Sequence, residues 1–122
     1  MKICITSEGK NPDSTVDPRF GRCRNFIFFD TDTGKFEAQE NANAQFQGGA
    51  GIQSAQMVSS KDAKVVLTGN VGPNAFEILD KAGIQIYTNV SGTVKEAVDT
   101  YKSGKLKMTE RPSVGSKFGM GK

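Results

Sequence analysis

Residues 63–88, AKVVLTGNVGPNAFEILDKAGIQIYT, carry the clearest fold signal in this 122-residue sequence. The apolar run AKVVLT predicts a buried strand, and the tight loop GNVGP follows it. Pro73 suits the first turn of a helix and Gly83 suits its end, so the middle of the stretch predicts a helix. The run QIYT predicts a second strand. Two buried strands joined through a helix are expected to be parallel, with a right-handed crossover.

The flanking sequence extends this unit into one α/β domain. It predicts strands at 2–6, 25–30 and 35–41, a helix at 52–60, and a last helix that begins after the capping box of Thr93 and Glu96. The element order β, β, β, α, β, α, β, α predicts a three-layer α/β/α domain. Its sheet is mixed and five-stranded, with an N-terminal hairpin. We expect the domain to span residues 1–106 and residues 107–122 to form a mobile basic tail.

Composition excludes several classes of site. The chain has no histidine, which removes Ser-His-Asp and Cys-His catalysis and histidine-based zinc sites. Its two cysteines, Cys4 and Cys23, form no C-x-x-C pair, so neither a zinc ribbon nor a thioredoxin-type site is indicated. A ribonuclease-type nuclease would need clustered carboxylates at the strand ends, where the sequence offers Cys4 and Thr68.

The charge is distributed unevenly. The net charge is +3, but the residues from Lys102 onward hold six of the 16 basic and one of the 13 acidic residues. This leaves ten basic and twelve acidic residues before Lys102, so the sequence does not predict a nucleic-acid-binding surface. No apolar run approaches the roughly 20 residues that span a bilayer, and MKICITSEG lacks the features of a signal peptide. We therefore expect no membrane association and a cytoplasmic location.

Three loops rich in glycine or proline are expected to meet at one edge of the sheet. In α/β sheets, ligands bind beyond the carboxyl ends of the parallel strands, beside helix N-termini. The loop after the first strand contains PRFGRC (18–23), QGGAG (47–51) opens the first helix, and GNVGPN (69–74) opens the second. Main-chain N–H groups at helix starts attract anions. A flexible connector is the alternative interpretation of QGGAG, whose match to the dinucleotide-binding fingerprint is only partial.

Arginines cluster beside a thiol in the first of these loops. Arg19, Arg22 and Arg24 surround Cys23 in the sequence. Nearby cations lower the pKa of a thiol and favour the thiolate, the form that binds soft metals. The loop therefore predicts a site for an anionic, soft ligand. The alternative is a turn with a solvated basic rim, since Asp-Pro can begin a turn.

Four stretches in order carry a resemblance to a known family. They are VDPRFGRCRNFIFFD (16–30), GGAGI (48–52), VVLTGNVGPNAFEILDKAGIQIY (65–87) and SGTVKEAVDTYKSGKL (91–106). Together they resemble the dinitrogenase iron–molybdenum cofactor biosynthesis family, which includes NifX-like carriers, the C-terminal domain of NifB and the orange protein. The resemblance implies a ribonuclease H-like fold without enzymatic activity. It also implies non-enzymatic binding, carriage or storage of an anionic metal–sulfur cluster, either an iron–molybdenum cofactor precursor or a molybdenum–copper sulfide cluster. With one thiol expected at the site of each monomer, the binding is expected to be largely non-covalent or shared across a dimer.

The resemblance also implies a set of binding residues. The arginines and the loop N–H groups would offset the negative charge of the cluster, Cys23 could ligate the metal, and Phe20 could shield the sulfides. The full predicted set is Arg19, Phe20, Gly21, Arg22, Cys23, Gly48, Gly49, Gly51, Gly69, Asn70, Gly72 and Asn74.

Partners follow from the same resemblance. We expect proteins that donate or accept the cluster, and a monomer or weak dimer. The alternative function is a protein-interaction or regulatory module that acts through the basic tail. A small enzyme or nucleotide binder has only the imperfect glycine loop in its favour.

Overall fold

A computed structural model of the chain describes residues 1–42 and 49–112. Its elements, in chain order, are β1 (Lys2–Ser7), β2 (Asn25–Asp30), β3 (Phe36–Glu40), α1 (Ala50–Ser60), β4 (Val65–Leu67), α2 (Pro73–Lys81), β5 (Gln85–Tyr87) and α3 (Val94–Lys102). Every predicted strand and helix is present in the predicted order.

The five strands form one mixed sheet in the order β3-β2-β1-β4-β5. β1 is parallel to β4, and β4 is parallel to β5. β2 pairs antiparallel with both β1 and β3, so the β2–β3 hairpin extends one side of the sheet. The mixed five-stranded sheet is therefore confirmed, and the ribonuclease H-like designation stays a prediction.

The sheet is covered on both faces, because successive side chains of each strand point to opposite sides. One face carries Cys4, Phe26, Phe28 and Val66, which pack with α1 and α2 through Ala55, Val58, Ala75 and Leu79. The other face carries Ile3, Ile5, Ile27 and Leu67, which pack with α3 through Val94, Ala97 and Val98. This arrangement confirms the three α/β/α layers.

The predicted capping box opens α3. The Thr93 side chain accepts a hydrogen bond from the Glu96 N–H at 3.1 Å, and the Glu96 carboxylate accepts one from the Thr93 N–H at 2.9 Å. Both donors would otherwise have no partner in the helix. α3 therefore begins at a well-defined position on the face of the sheet away from α1 and α2.

The chain beyond α3 returns to the edge of the sheet. The Thr109 N–H donates to the Ile86 carbonyl at 2.7 Å, and the Thr109 hydroxyl accepts from the Thr88 N–H at 2.9 Å. The start of the predicted tail therefore contacts β5, while the domain boundary after residue 106 stays a prediction. Residues 113–122 of that tail lie outside the described residues. No helix in the described ranges is both long and apolar enough to cross a membrane.

Candidate functional site

The loop after β1 lies directly against the loop after β4. The Asn70 N–H donates to the Pro18 carbonyl at 2.7 Å, and the Phe20 N–H donates to the Asn70 carbonyl at 3.1 Å. Gly69 permits this approach, because a Cβ at that position would lie 2.5 Å from the Pro18 Cα. The two loops are therefore held together by their main chains.

The start of α1 joins these loops through a contact between two glycines. A Cβ on Gly21 would lie 2.8 Å from both the Cα and the N of Gly51. The Ser54 hydroxyl also donates to the Gly21 carbonyl at 3.4 Å. The three loops thus meet at the carboxyl ends of the parallel strands, as expected from the sequence.

A depression of about 180 Å³ lies where the loops meet. Its walls combine main chain from glycines with apolar side chains. The lining residues are Phe20, Gly21, Gly49, Gly51, Ile52, Gly72, Pro73, Asn74 and Ala75. Half of the twelve predicted binding residues are in this list. Gly48 lies outside the described residues.

Two helix N-termini open onto the depression. α1 has Gly49 at its N-cap, with a left-handed φ of 77°, and α2 has Gly72 at its N-cap. Neither N-cap supplies a side-chain hydrogen bond, and neither helix has an acidic residue in its first turn. Among the described residues, no side chain therefore caps the positive end of either helix, an arrangement that favours anions, although Pro73 has no N–H to donate.

The arginines lie around the depression rather than in it. Arg19 is 61% exposed, and its Nε lies 3.3 Å from the Asp17 carboxylate. Arg22 is also exposed. Arg24 lines a separate cavity of about 510 Å³ that also contains Glu8. Arg24 therefore lines a different cavity from the depression, and Arg19 and Arg22 stay predicted binding residues.

Cys23 corrects one inference from the sequence. Its side chain is buried, it donates to the Phe20 carbonyl at 3.3 Å, and it does not line the depression. Burial raises the pKa of the Cys23 thiol, and the charge of Asp17 raises it further. Arg19 and a hydrogen bond from Asn41 lower the pKa by less. The expectation that neighbouring arginines favour the thiolate is therefore wrong, because desolvation outweighs them.

Phe20 has a structural task in addition to lining the depression. It is 2% exposed and packs edge-to-face on Phe26, with ring centroids 5.8 Å apart. The ring anchors the loop in the core between the sheet and the first two helices. Only a small part of Phe20 can therefore face a ligand, so its predicted role as a shield is limited to one wall.

Two buried polar residues at the site were not singled out from the sequence. The Asn41 amide donates to the Gly21 carbonyl at 3.1 Å and to the Cys23 carbonyl at 2.9 Å. Asp17 is 1% exposed. The Asp-Pro pair was a local signal for Asp17, whereas nothing local marks Asn41, which lies about 20 residues from its partners.

Side chains of the described residues do not form a chelating centre. Within 1–42 and 49–112, no group of three or more cysteines or carboxylates is placed to hold a metal ion. What the site offers is main-chain N–H groups, apolar walls and exposed guanidinium groups nearby. These features suit an anion that carries its own metal ligands.

Comparisons with known proteins agree with this picture. The model of the family described as dinitrogenase iron-molybdenum cofactor matches residues 1–104. The apo form of the orange protein from Desulfovibrio gigas is 40% identical, with a TM-score of 0.89 over 92% of this chain and 95% of that one. A candidate NifB protein from Thermotoga, of the DUF35 family, is 38% identical, with a TM-score of 0.74 over 88% and 91%. An uncharacterised Methanocaldococcus jannaschii protein is 26% identical over 113 residues, which are 90% of this chain and 92% of that protein.

Proposed function

Because the chain belongs to the dinitrogenase iron-molybdenum cofactor family, we propose that it binds an anionic metal–sulfur cluster and does not act as an enzyme. The observation that carries this proposal is the pair of helix N-termini, without side-chain caps, that open onto one glycine-lined depression. The cluster is held without covalent bonds, by main-chain donors and by the charge of the helix ends.

The lining favours sulfide-bearing anions. Phe20, Ile52, Pro73 and Ala75 supply apolar contacts beside the donors. A hydrated oxyanion loses strong hydrogen bonds to water when it meets such a surface, whereas soft, polarisable sulfides lose less. Cys23 is not required as a ligand, since its thiol is buried and its pKa is raised. The cargo is an iron–molybdenum cofactor precursor or a molybdenum–copper sulfide cluster.

The depression that the described residues form is small. The depression of about 180 Å³ is smaller than the roughly 300–1,000 Å³ of typical ligand pockets. Part of the cluster would therefore stay accessible to a protein that delivers or receives it. We expect such partners in the cytoplasm, with the chain as a monomer or weak dimer. An interaction through the basic tail stays a prediction, since residues 113–122 lie outside the described residues.

Reconstitution tests the proposal. Apo-protein is mixed anaerobically with tetrathiomolybdate, alone and with Cu(I) or Fe(II), then desalted, and its visible spectrum and metal-to-protein ratio are measured. We expect a defined ratio, retained in Cys23→Ala. We expect Gly51→Leu to lose it, because this side chain extends from α1 into the depression, where Gly51 borders Ala75.

The matched control is Gln56→Leu, which adds the same side chain at an exposed position of the same helix. Gln56→Leu should bind like the wild type. Absence of retained metal in the wild type would contradict the function. Equal retention in the wild type and a folded Gly51→Leu would contradict the site.

A further inference from the structure

We propose that Asp17 is a positioning residue of this site: its buried carboxylate holds both ends of the loop from Pro18 to Cys23 and so fixes Phe20 and Gly21 beside the helix N-termini. The inference rests on the proposed function for its ligand, although the hydrogen bonds that carry it belong to the unliganded protein.

The two carboxylate oxygens of Asp17 bind opposite ends of the loop. Oδ1 accepts a hydrogen bond from the Arg19 N–H at 3.1 Å, at the start of the loop. Oδ2 accepts one from the Arg24 N–H at 3.2 Å, directly after its end. The hydrogen bond from Arg24 therefore closes the six residues between Asp17 and Arg24, Pro18–Cys23, into a ring.

The main chain of Asp17 is itself fixed to the sheet. The Asp17 N–H donates to the Thr6 carbonyl at 3.0 Å, and the Thr6 hydroxyl lies 2.7 Å from the Asp17 carbonyl oxygen. The same hydroxyl lies 2.8 Å from that of Thr68, which directly follows β4. Asp17 thus fixes the loop relative to the ends of β1 and β4.

Aspartate fits this position better than its closest substitutes. Asparagine would accept a hydrogen bond from only one of the two N–H groups, because its amide NH₂ would face the other donor. Serine has a single oxygen, which cannot reach the N–H groups of both Arg19 and Arg24. The buried negative charge is compensated by the two N–H groups and by the Arg19 Nε at 3.3 Å. These contacts also orient Arg19, whose guanidinium stays 61% exposed.

The consequence concerns the wall of the depression. Phe20 and Gly21 lie within the closed ring, and Gly21 is in direct contact with the start of α1 at Gly51. If one end of the ring opens, the loop gains freedom to move away from α1 and the depression loses that wall. Ligand affinity should therefore depend on a residue that does not line the depression.

The first test compares Asp17→Asn with the wild type in tetrathiomolybdate titrations, under conditions where circular dichroism shows both to be folded. We expect affinity to fall about tenfold, the equivalent of roughly 1.4 kcal/mol. Val98→Ala is the control, because it removes buried side-chain volume from α3 on the opposite face of the sheet and should lower stability without lowering affinity. An unchanged affinity in Asp17→Asn would overturn the proposal.

A second measurement uses the unliganded wild type, so it does not depend on a variant that folds. Amide hydrogen exchange should show that the N–H groups of Arg19 and Arg24 are protected. Their exchange rates should rise together with that of the Phe20 N–H when the loop opens. If the two arginine amides exchange rapidly, or at rates that do not change together, the proposed role of Asp17 is wrong. If the wild type binds no thiometallate although the Arg19 and Arg24 amides are protected and open together, the proposed function is contradicted. The role of Asp17 in holding the loop would still be supported.

Discussion

Gly21→Ala is the sharpest test of how the loops meet. The added Cβ would lie 2.8 Å from the Cα and N of Gly51 and 3.3 Å from the Ala50 carbonyl carbon. Ordinary contact begins near 3.4 Å, so the two main chains must part by about 0.6 Å, the difference between 3.4 and 2.8 Å. Both sides of the contact are backbone and cannot simply rotate away. We expect a loss of about 1–3 kcal/mol in the free energy of unfolding.

The other side of the same contact provides the control. A Cβ on Gly51 would lie 3.4 Å from the Ala75 Cβ, at the edge of ordinary contact, and Gly51 is in the first turn of α1. Alanine is favoured over glycine in helices by about 0.5–1 kcal/mol. Gly51→Ala should therefore leave stability unchanged or raise it, opposite in sign to Gly21→Ala.

Equilibrium urea unfolding, followed by circular dichroism, measures both variants against the wild type. The urea dependence of the free energy should stay the same, since the surface exposed on unfolding changes little. If Gly21→Ala unfolds at the wild-type urea concentration, the loop is not held against α1 and the depression as described is wrong. If both variants destabilise equally, the cause is general sensitivity of this region rather than the glycine contact.

Three further predictions concern other parts of the chain. Thr93→Ala should cost about 1 kcal/mol of stability by urea unfolding, because it removes the capping box; no loss would show that the box is not formed in solution. Burial raises the pKa of Cys4 and Cys23 above the usual 9.0, so the folded thiols stay protonated while unfolded ones ionise. Stability should therefore fall as pH rises above about 9, with a smaller slope in Cys23→Ala; equal slopes would contradict this. Thr109→Val should cost about 1 kcal/mol by losing two hydrogen bonds to Thr88, and unchanged stability would show that the segment around Thr109 is not held beside β5.

The order of elements was predictable because local residues mark where each helix or strand begins and ends. Pro73 and Gly83 delimit α2, and the Thr93–Glu96 pair begins α3, in each case through a backbone requirement that few residue types meet. The meeting of the three loops followed from topology, because the carboxyl ends of neighbouring parallel strands share an edge. These inferences needed no knowledge of side-chain packing.

The burial of Cys23 could not be predicted in the same way. Its neighbours in the sequence are arginines, but its neighbours in space are the Phe20 carbonyl, the Asn41 amide and the core beneath the loop. The Cys23 thiol bonds to the carbonyl of Phe20, whose ring packs on Phe26, and local sequence does not encode these contacts. A pKa argument from sequence proximity therefore had the wrong sign.

The placement of charge bears on how the proposed site would bind an anion and release it. The Arg19 Nε–H already bonds to the Asp17 carboxylate, whose negative charge partly neutralises the guanidinium. Arg19 therefore attracts an anionic ligand less strongly than an unpaired arginine would. The helix ends supply roughly half a positive charge each, fixed in place by the backbone. Binding through these fixed partial charges would be specific, because the donors have a fixed geometry. It would also allow faster release than a metal–thiolate bond. Cys23 is buried and its pKa is raised, so under the proposed function its thiol would take no part in exchange and the main chain would hold the cluster.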